Sequence, residues 1–192
     1  VERDFAANDD PIRLPNPIGA PLAVWRSSLI GSLVANVRFN INRKATRVRM
    51  FEIAKVYQRD ASTPDGALSV AGIAQPLHVA AIAWGSAWSE QWGASSRAVD
   101  FFDVKSDIES LFAALGRDAT PTFVATEHPA LHPGRRARIH SRGRAVRCIG
   151  QLPPHRLQAS ELPTAATVLD VEAQAALQAR LAHTAARPPH TP

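Results

Sequence analysis

The sequence predicts an α+β protein: a largely antiparallel β-sheet flanked by helices. Three observations carry that prediction. Two stretches, near 27–44 and 102–115, place apolar residues at spacings of three and four, the period of an amphipathic helix. Seven shorter stretches, near 47–58, 68–74, 77–84, 121–126, in a hairpin over 135–151 and near 166–170, favour strand residues and end in turn signals. Several links between these strands are too short to hold the crossover helix that parallel pairing requires.

The elements follow in order. Residues 1–25 hold Pro11, Pro15, Pro17 and Pro21, so a looped or extended lead-in is expected. In "SSLIGSLVANVRFNINRK", Leu29, Ile30, Leu33, Val34, Val37 and Ile41 form one apolar stripe. Ser27 or Ser28 can cap its start, and Arg43 and Lys44 suit the negative end of the helix dipole. The strand at 47–58 runs to the turn "STPDG", and "LHVAAIAWG" is apolar enough for a central strand. The second helix turns Phe102, Val104, Ile108, Leu111, Phe112 and Leu115 inward; Asp100 or Asp103 caps it, and Gly116 ends it. "HPALHPG" is a rigid loop, and "SRG" turns the hairpin. A last helix is expected near 171–184, followed by a disordered tail.

Bulk properties narrow the classes. With 192 residues and 45% hydrophobic composition, the chain can bury a core of its own. No apolar run approaches the ~20 residues of a membrane helix, no charged-then-apolar leader is present, and Cys148 is the only cysteine. The expected setting is cytoplasmic, away from membranes, with Cys148 a small buried hydrophobe. Val1 opens the chain and Met50 is the only methionine, so an excised part of a longer protein is expected. The net charge of +5 comes with 19 arginines and three lysines, which permits contact with a polyanion.

Most catalytic signatures are missing. His128 and His132 stand at a metal-ligand spacing, but Pro129 and Pro133 forbid the helix that would use it, so no metal site is predicted. There is no Gly-x-Ser-x-Gly, and Cys148 falls within a predicted strand. No two glycines are separated by a single residue, which excludes Gly-x-Gly phosphate loops. Asp100, Asp103 and Asp107 open a helix, where acids serve as caps. Glu52 and Asp60 are the suggestively placed acids. Arg135, Arg136, Arg138, Arg142, Arg144 and Arg147 crowd one hairpin. Period-two alternation would put several on one face, as an RNA-binding or partner-binding surface or as a solvated outer face.

Several stretches together resemble one family. "RLPNPIGAPLAVWRSSLIGSLVANVRFNINRKATRVRMFEIAKVYQRD", "VDFFDVKSDIESLFAALG", "HPALHPGRRARI" and "GRAVRCIGQLPP" look like the β subunit of bacterial phenylalanyl-tRNA synthetase, over about residues 1–171. The resemblance implies a class II aminoacyl-tRNA synthetase catalytic-like fold over 1–171, with 172–192 a C-terminal helix and tail. It implies an α2β2 ligase that uses ATP and magnesium. There the α subunit is the partner and does the chemistry, tRNA is a possible contact, and this core of β is not catalytic and holds no cofactor. The family's second class II motif, Phe-Arg-x-Glu, aligns with Tyr57, Gln58, Arg59 and Asp60. Neutral Gln58 stands where an arginine would grip the ATP α-phosphate, and Arg59 is one residue along, on the opposite strand face. No glycine follows Gly150, so the third motif is missing as well. Trp88 and Trp92 are the candidate subunit contact, with Trp84 assigned to the core. Two other readings stay open: an RNA-binding module centred on the arginine hairpin, and an enzyme domain with a variant ATP site.

Overall fold

The computed structural model describes residues 2–6, 8–19, 23–93, 95–115, 120–141, 143–174 and 176. Their elements are α1 (Glu2–Ala6), α2 (Ile30–Asn42), β1 (Arg47–Lys55), β2 (Gln58–Arg59), β3 (Ile73–Ala74), β4 (Leu77–Gly85), α3 (Phe101–Leu115), β5 (Thr122–Val124), β6 (Arg136–Ser141), β7 (Arg144–Gln151), α4 (Pro154–Ala159) and β8 (Ala166–Glu172). Six strands form one sheet in the order β1-β4-β8-β7-β6-β5, and β2 and β3 form a separate pair. Every pairing is antiparallel, as the short links required.

Alternation along the strands builds two cores, one on each face. On the first face Val48, Ala80, Ile82, Trp84, Ala166 and Val168 pack against Leu29, Ile30, Leu33, Val34 and Val37 of α2 and its cap. On the second, Ala83, Leu169, Val171, Ile149, Ala137 and Ile139 pack against Val104, Ile108 and Phe112 of α3. A fully buried Leu, Ile or Phe contributes about 1.5–3 kcal/mol, so these two helices fix the sheet from both sides. Leu29, not Ser27 or Ser28, holds the N-cap position of α2 and makes no side-chain cap bond, although Ser28 Oγ accepts the Ile30 N–H at 3.1 Å just before the helix. The cap of α3 is local. Asp100 Oδ1 accepts the N–H groups of Phe102 and Asp103 while Asp103 Oδ2 accepts that of Asp100, a reciprocal capping box.

Several sequence expectations are corrected. The strand predicted over 47–58 breaks after Lys55, because the Val56 and Tyr57 N–H groups turn to Pro76 O and Arg26 O. The strand expected at 68–74 shrinks to Ile73–Ala74; the residues before it form tight turns bridged at Gly66–Ser69 and Val70–Ile73. Phe102 does not face the core. It is 71% exposed, one helical step away from the buried line Val104–Ile108–Phe112. Val171 and Glu172 continue β8 rather than starting a helix; helical backbone begins at Ala173. Most of the predicted final helix, the tail, Gly116 and Arg142 lie outside the described residues. A short α1 precedes the prolines, and α4 starts at Pro154, where a missing N–H costs nothing. No helix among the described residues is long and apolar enough to cross a membrane.

Candidate functional site

The stretch that resembles an ATP-gripping motif is built as a turn. Gln58 and Arg59 pair with Ala74 and Ile73. Arg59 Nε reaches Asp10 Oδ2 at 2.8 Å, an exposed ion pair with the lead-in segment. Asp60 is used locally: Oδ1 accepts the Ser62 N–H at 3.0 Å and its hydroxyl at 2.6 Å, and Oδ2 accepts the Thr63 hydroxyl at 2.9 Å. These Ser62 bonds, first of all the one from the hydroxyl, hold the Asp60 carboxyl below its usual range. Tyr57 packs against Trp25, with ring centroids 4.5 Å apart and planes tilted by 50°. Glu52 ties the start of α2 to β1: Oε1 takes Arg26 Nη1 at 2.5 Å and Oε2 takes the Ser32 hydroxyl at 2.7 Å. The two suggestively placed acids are therefore both engaged in holding chain segments together.

The arginine hairpin divides by role. Arg136 Nη1 donates to His128 O and Leu131 O and so pins the 128–131 loop to the sheet. Arg135 donates to Gln151 Oε1 at 2.8 Å. Arg144 also has an interaction partner, and Arg142 falls outside the described residues. Arg138 is exposed on β6, in register with Cys148 on β7.

A polar network that the sequence did not suggest lies on the α2 face of the sheet. Asp170 on β8, 1% exposed, accepts from His78 Nδ1 at 2.8 Å and from Arg147 Nη1 at 3.1 Å. A carboxylate only accepts, so Nδ1 carries the imidazole hydrogen. Arg147 reaches this face through a β-bulge. The β6–β7 register shifts between Ile139 and His140, and Arg147 has φ 139, in the left-handed region. Without the bulge its place opposite Ile139 would send the guanidinium into the α3-side core. Beside it His128 is half-buried; burial, then the neighbouring Arg147, lowers its pKa, while Nδ1 accepts the Ala130 N–H at 3.2 Å. Burial pushes the Cys148 thiol up to about 12, so it is a packed side chain and not a nucleophile.

Trp84 is buried in the α2-side core as expected, whereas Trp88 is half exposed and Trp92 fully so. Trp88 and Arg97, whose guanidinium carbon lies 5.4 Å from the ring centroid, line a groove of about 1010 Å³ with Lys44 and Arg47 at the far end of the sheet from the 57–60 turn. Among the described residues no group of three His, Cys, Asp or Glu side chains is placed to hold a metal ion.

Comparison with known proteins adds an independent line. Residues 2–173 match the family described as "Phenylalanyl tRNA synthetase beta chain CLM domain". The chain is similar to the phenylalanine–tRNA ligase beta subunit of Cupriavidus pinatubonensis, 53% identical over 180 residues, covering 94% of this chain and 22% of that protein. It is likewise similar to the corresponding subunits of Ralstonia nicotianae, at 55% over 174 residues, 91% of this chain and 21% of that protein, and Bordetella bronchiseptica, at 51% over 180 residues, 94% and 22%. The chain spans about a fifth of the length of these curated relatives.

Proposed function

The chain belongs to the phenylalanyl tRNA synthetase beta chain CLM domain family, and we propose that it serves as a non-catalytic core domain of a phenylalanine–tRNA ligase. In this reading it packs against the catalytic α subunit of an α2β2 assembly in the cytoplasm and helps position tRNA. ATP and magnesium are handled by α. The six-stranded antiparallel sheet between two helical layers suits a class II synthetase-like core.

The observation that carries the reading is the fate of the 57–60 stretch. An ATP-gripping motif needs a free cationic fork and a free carboxylate at the end of its strand. Here Gln58 is neutral, Arg59 pairs with Asp10, and both oxygens of Asp60 are spent on Ser62 and Thr63. The strand survives because the fold uses it: Val48 packs under α2, and Glu52 fastens Arg26 and Ser32. Exposed Trp88 and Trp92 fit the aromatic enrichment of subunit contacts. The variant-enzyme reading has no support in this geometry. The RNA reading loses Arg135 and Arg136 to internal bonds.

Analytical ultracentrifugation of the chain mixed with the ligase α subunit tests the proposal. A heterocomplex at micromolar concentration is expected, weakened by Trp88→Ala with Trp92→Ala. Separate sedimentation of the two chains refutes the assembly role. Amino-acid-dependent pyrophosphate exchange by the chain alone refutes the non-catalytic role.

A further inference from the structure

We infer that the recess between the 126–128 segment and the β6–β7 hairpin is a binding site for a phosphate group. The recess is an open depression of about 220 Å³ lined by Thr126, His128, Arg138, Ala145, Arg147 and Cys148. It lies on β6 and β7, on the far side of β4 and β8 from the β1 edge that leads to the 57–60 turn. It does not depend on the subunit-assembly reading.

Three residues with hydrogen-bond donors to offer line it together. Arg138 offers a whole guanidinium fork: it is exposed, and no partner is seen for it among the described residues. Arg147 commits Nη1 to Asp170 and keeps its other N–H groups. The His128 tautomer is set by its surroundings. Because the Ala130 N–H donates to Nδ1, a neutral ring must carry its hydrogen on Nε2, which makes that atom a donor. Thr126 also lines the recess, with its hydroxyl donating to Glu127 O at 3.5 Å. Asp170 is the one carboxylate of the adjoining network, and both its oxygens are occupied, by His78 and Arg147.

The backbone is shaped for this arrangement. A non-glycine residue at φ 139 is strained, and Arg147 adopts it. The bulge makes consecutive Arg147 and Cys148 line the same recess as Arg138, which regular alternation forbids. Neutralising Asp170 explains one nitrogen of Arg147. It does not explain why Arg138 and the His128 ring stand beside it. Two forked cations with a neutral imidazole donor suit a tetrahedral oxyanion better than a planar carboxylate, which offers only two oxygens.

The test is a titration of the full chain with inorganic phosphate at constant ionic strength, followed by ¹H–¹⁵N NMR of backbone and arginine Nε–H signals. Saturable shifts are expected at Thr126, His128, Arg138 and Arg147. Arg138→Gln, which removes an exposed side chain, should weaken phosphate at least about tenfold, while Arg43→Gln, an equal charge loss at the end of α2, should leave it unchanged. A parallel titration with AMP separates sources: tighter binding than phosphate identifies a nucleotide phosphate, and equal or weaker binding a free phosphate. The proposal is overturned if no saturable shifts occur at the recess. It is equally overturned if Arg138→Gln binds like the wild type, if Arg43→Gln weakens binding as much, or if acetate competes as well as phosphate.

Discussion

Asp170→Asn should destabilise the protein more than the loss of any surface ion pair. The side chain is 1% exposed and accepts two charge-relevant bonds, from His78 Nδ1 at 2.8 Å and Arg147 Nη1 at 3.1 Å. Asparagine keeps the shape but replaces one acceptor oxygen with an NH₂. One of the two donors then meets another donor in a buried site, and Arg147 loses its countercharge. Breaking a buried ionic network by removing one partner costs about 3–5 kcal/mol. Because the Arg147 side chain is 30% exposed and partly solvated, the lower end, about 3 kcal/mol, is expected.

Urea unfolding followed by tryptophan fluorescence measures this directly. With a slope of about 2 kcal/mol per molar, the midpoint should fall by roughly 1.5 M with the slope unchanged. Asp107→Asn is the matched control. Its partner Arg49 lies 3.0 Å away, but the Asp107 side chain is 55% exposed, so a loss under about 1 kcal/mol is expected. Combining Asp170→Asn with Arg147→Gln should cost less than the sum of the two, since the second change removes the charge that the first leaves stranded. If Asp170→Asn proves as mild as Asp107→Asn, the network does not clamp β4, β7 and β8 together, and the reasoning fails.

Two further outcomes rest on other parts of the fold. Arg97 hydrogen-bonds Asp103 and holds its carboxyl at about 2, below the ordinary 3.8. A lowered carboxyl adds stability above its unfolded value and loses it as pH falls from about 4 through about 2. Denaturation midpoints across that window should therefore drop in the wild type and drop less steeply in Asp103→Asn; equal slopes refute the link. Gly85 has φ 84, and a Cβ there would sit 2.2 Å from Thr46 O, whereas Gly72 has φ 76 and open space. Gly72→Ala should cost about 1–2 kcal/mol for the left-handed backbone alone, and Gly85→Ala clearly more, about 3 kcal/mol or above, because backbone must move as well. Equal melting temperatures for the two variants would show that the β1–β4 end is soft.

What the sequence discloses depends on how local the cause is. The stripes Leu29–Val37 and Val104–Phe112 are visible because a helix repeats its burial every three to four residues. The end of β1 is not visible, since Val56 and Tyr57 leave the ladder for Pro76 and Arg26, partners 20 and 31 residues away. His78 and Asp170 are 92 residues apart, so no spacing rule joins them. A weaker signal was available: a histidine in "LHVAAIAW" and an aspartate in "TVLDVE" each interrupt a strand apolar enough to be central. A polar group buried there must find a partner. Pairing those two interruptions would have located the network.

The same distinction separates form from chemistry at the 57–60 stretch. A strand leading into a polar turn is specified by register and burial, and Val48, Met50 and Glu52 on the α2 side are enough to fix it. Phosphate gripping asks for more, namely that cationic and acidic groups stay uncommitted. Asp60 cannot meet that condition, because the turn that follows is held by its carboxylate through Ser62 and Thr63. Freeing Asp60 would unfasten the turn, so arginine at position 58 alone would not restore the motif. The hairpin presents the opposite case. There the fold spends a strained residue to aim Arg147 at the recess and leaves Arg138 uncommitted. The groups that remain open to a ligand are therefore on β6 and β7, across the sheet from the motif that first suggests one.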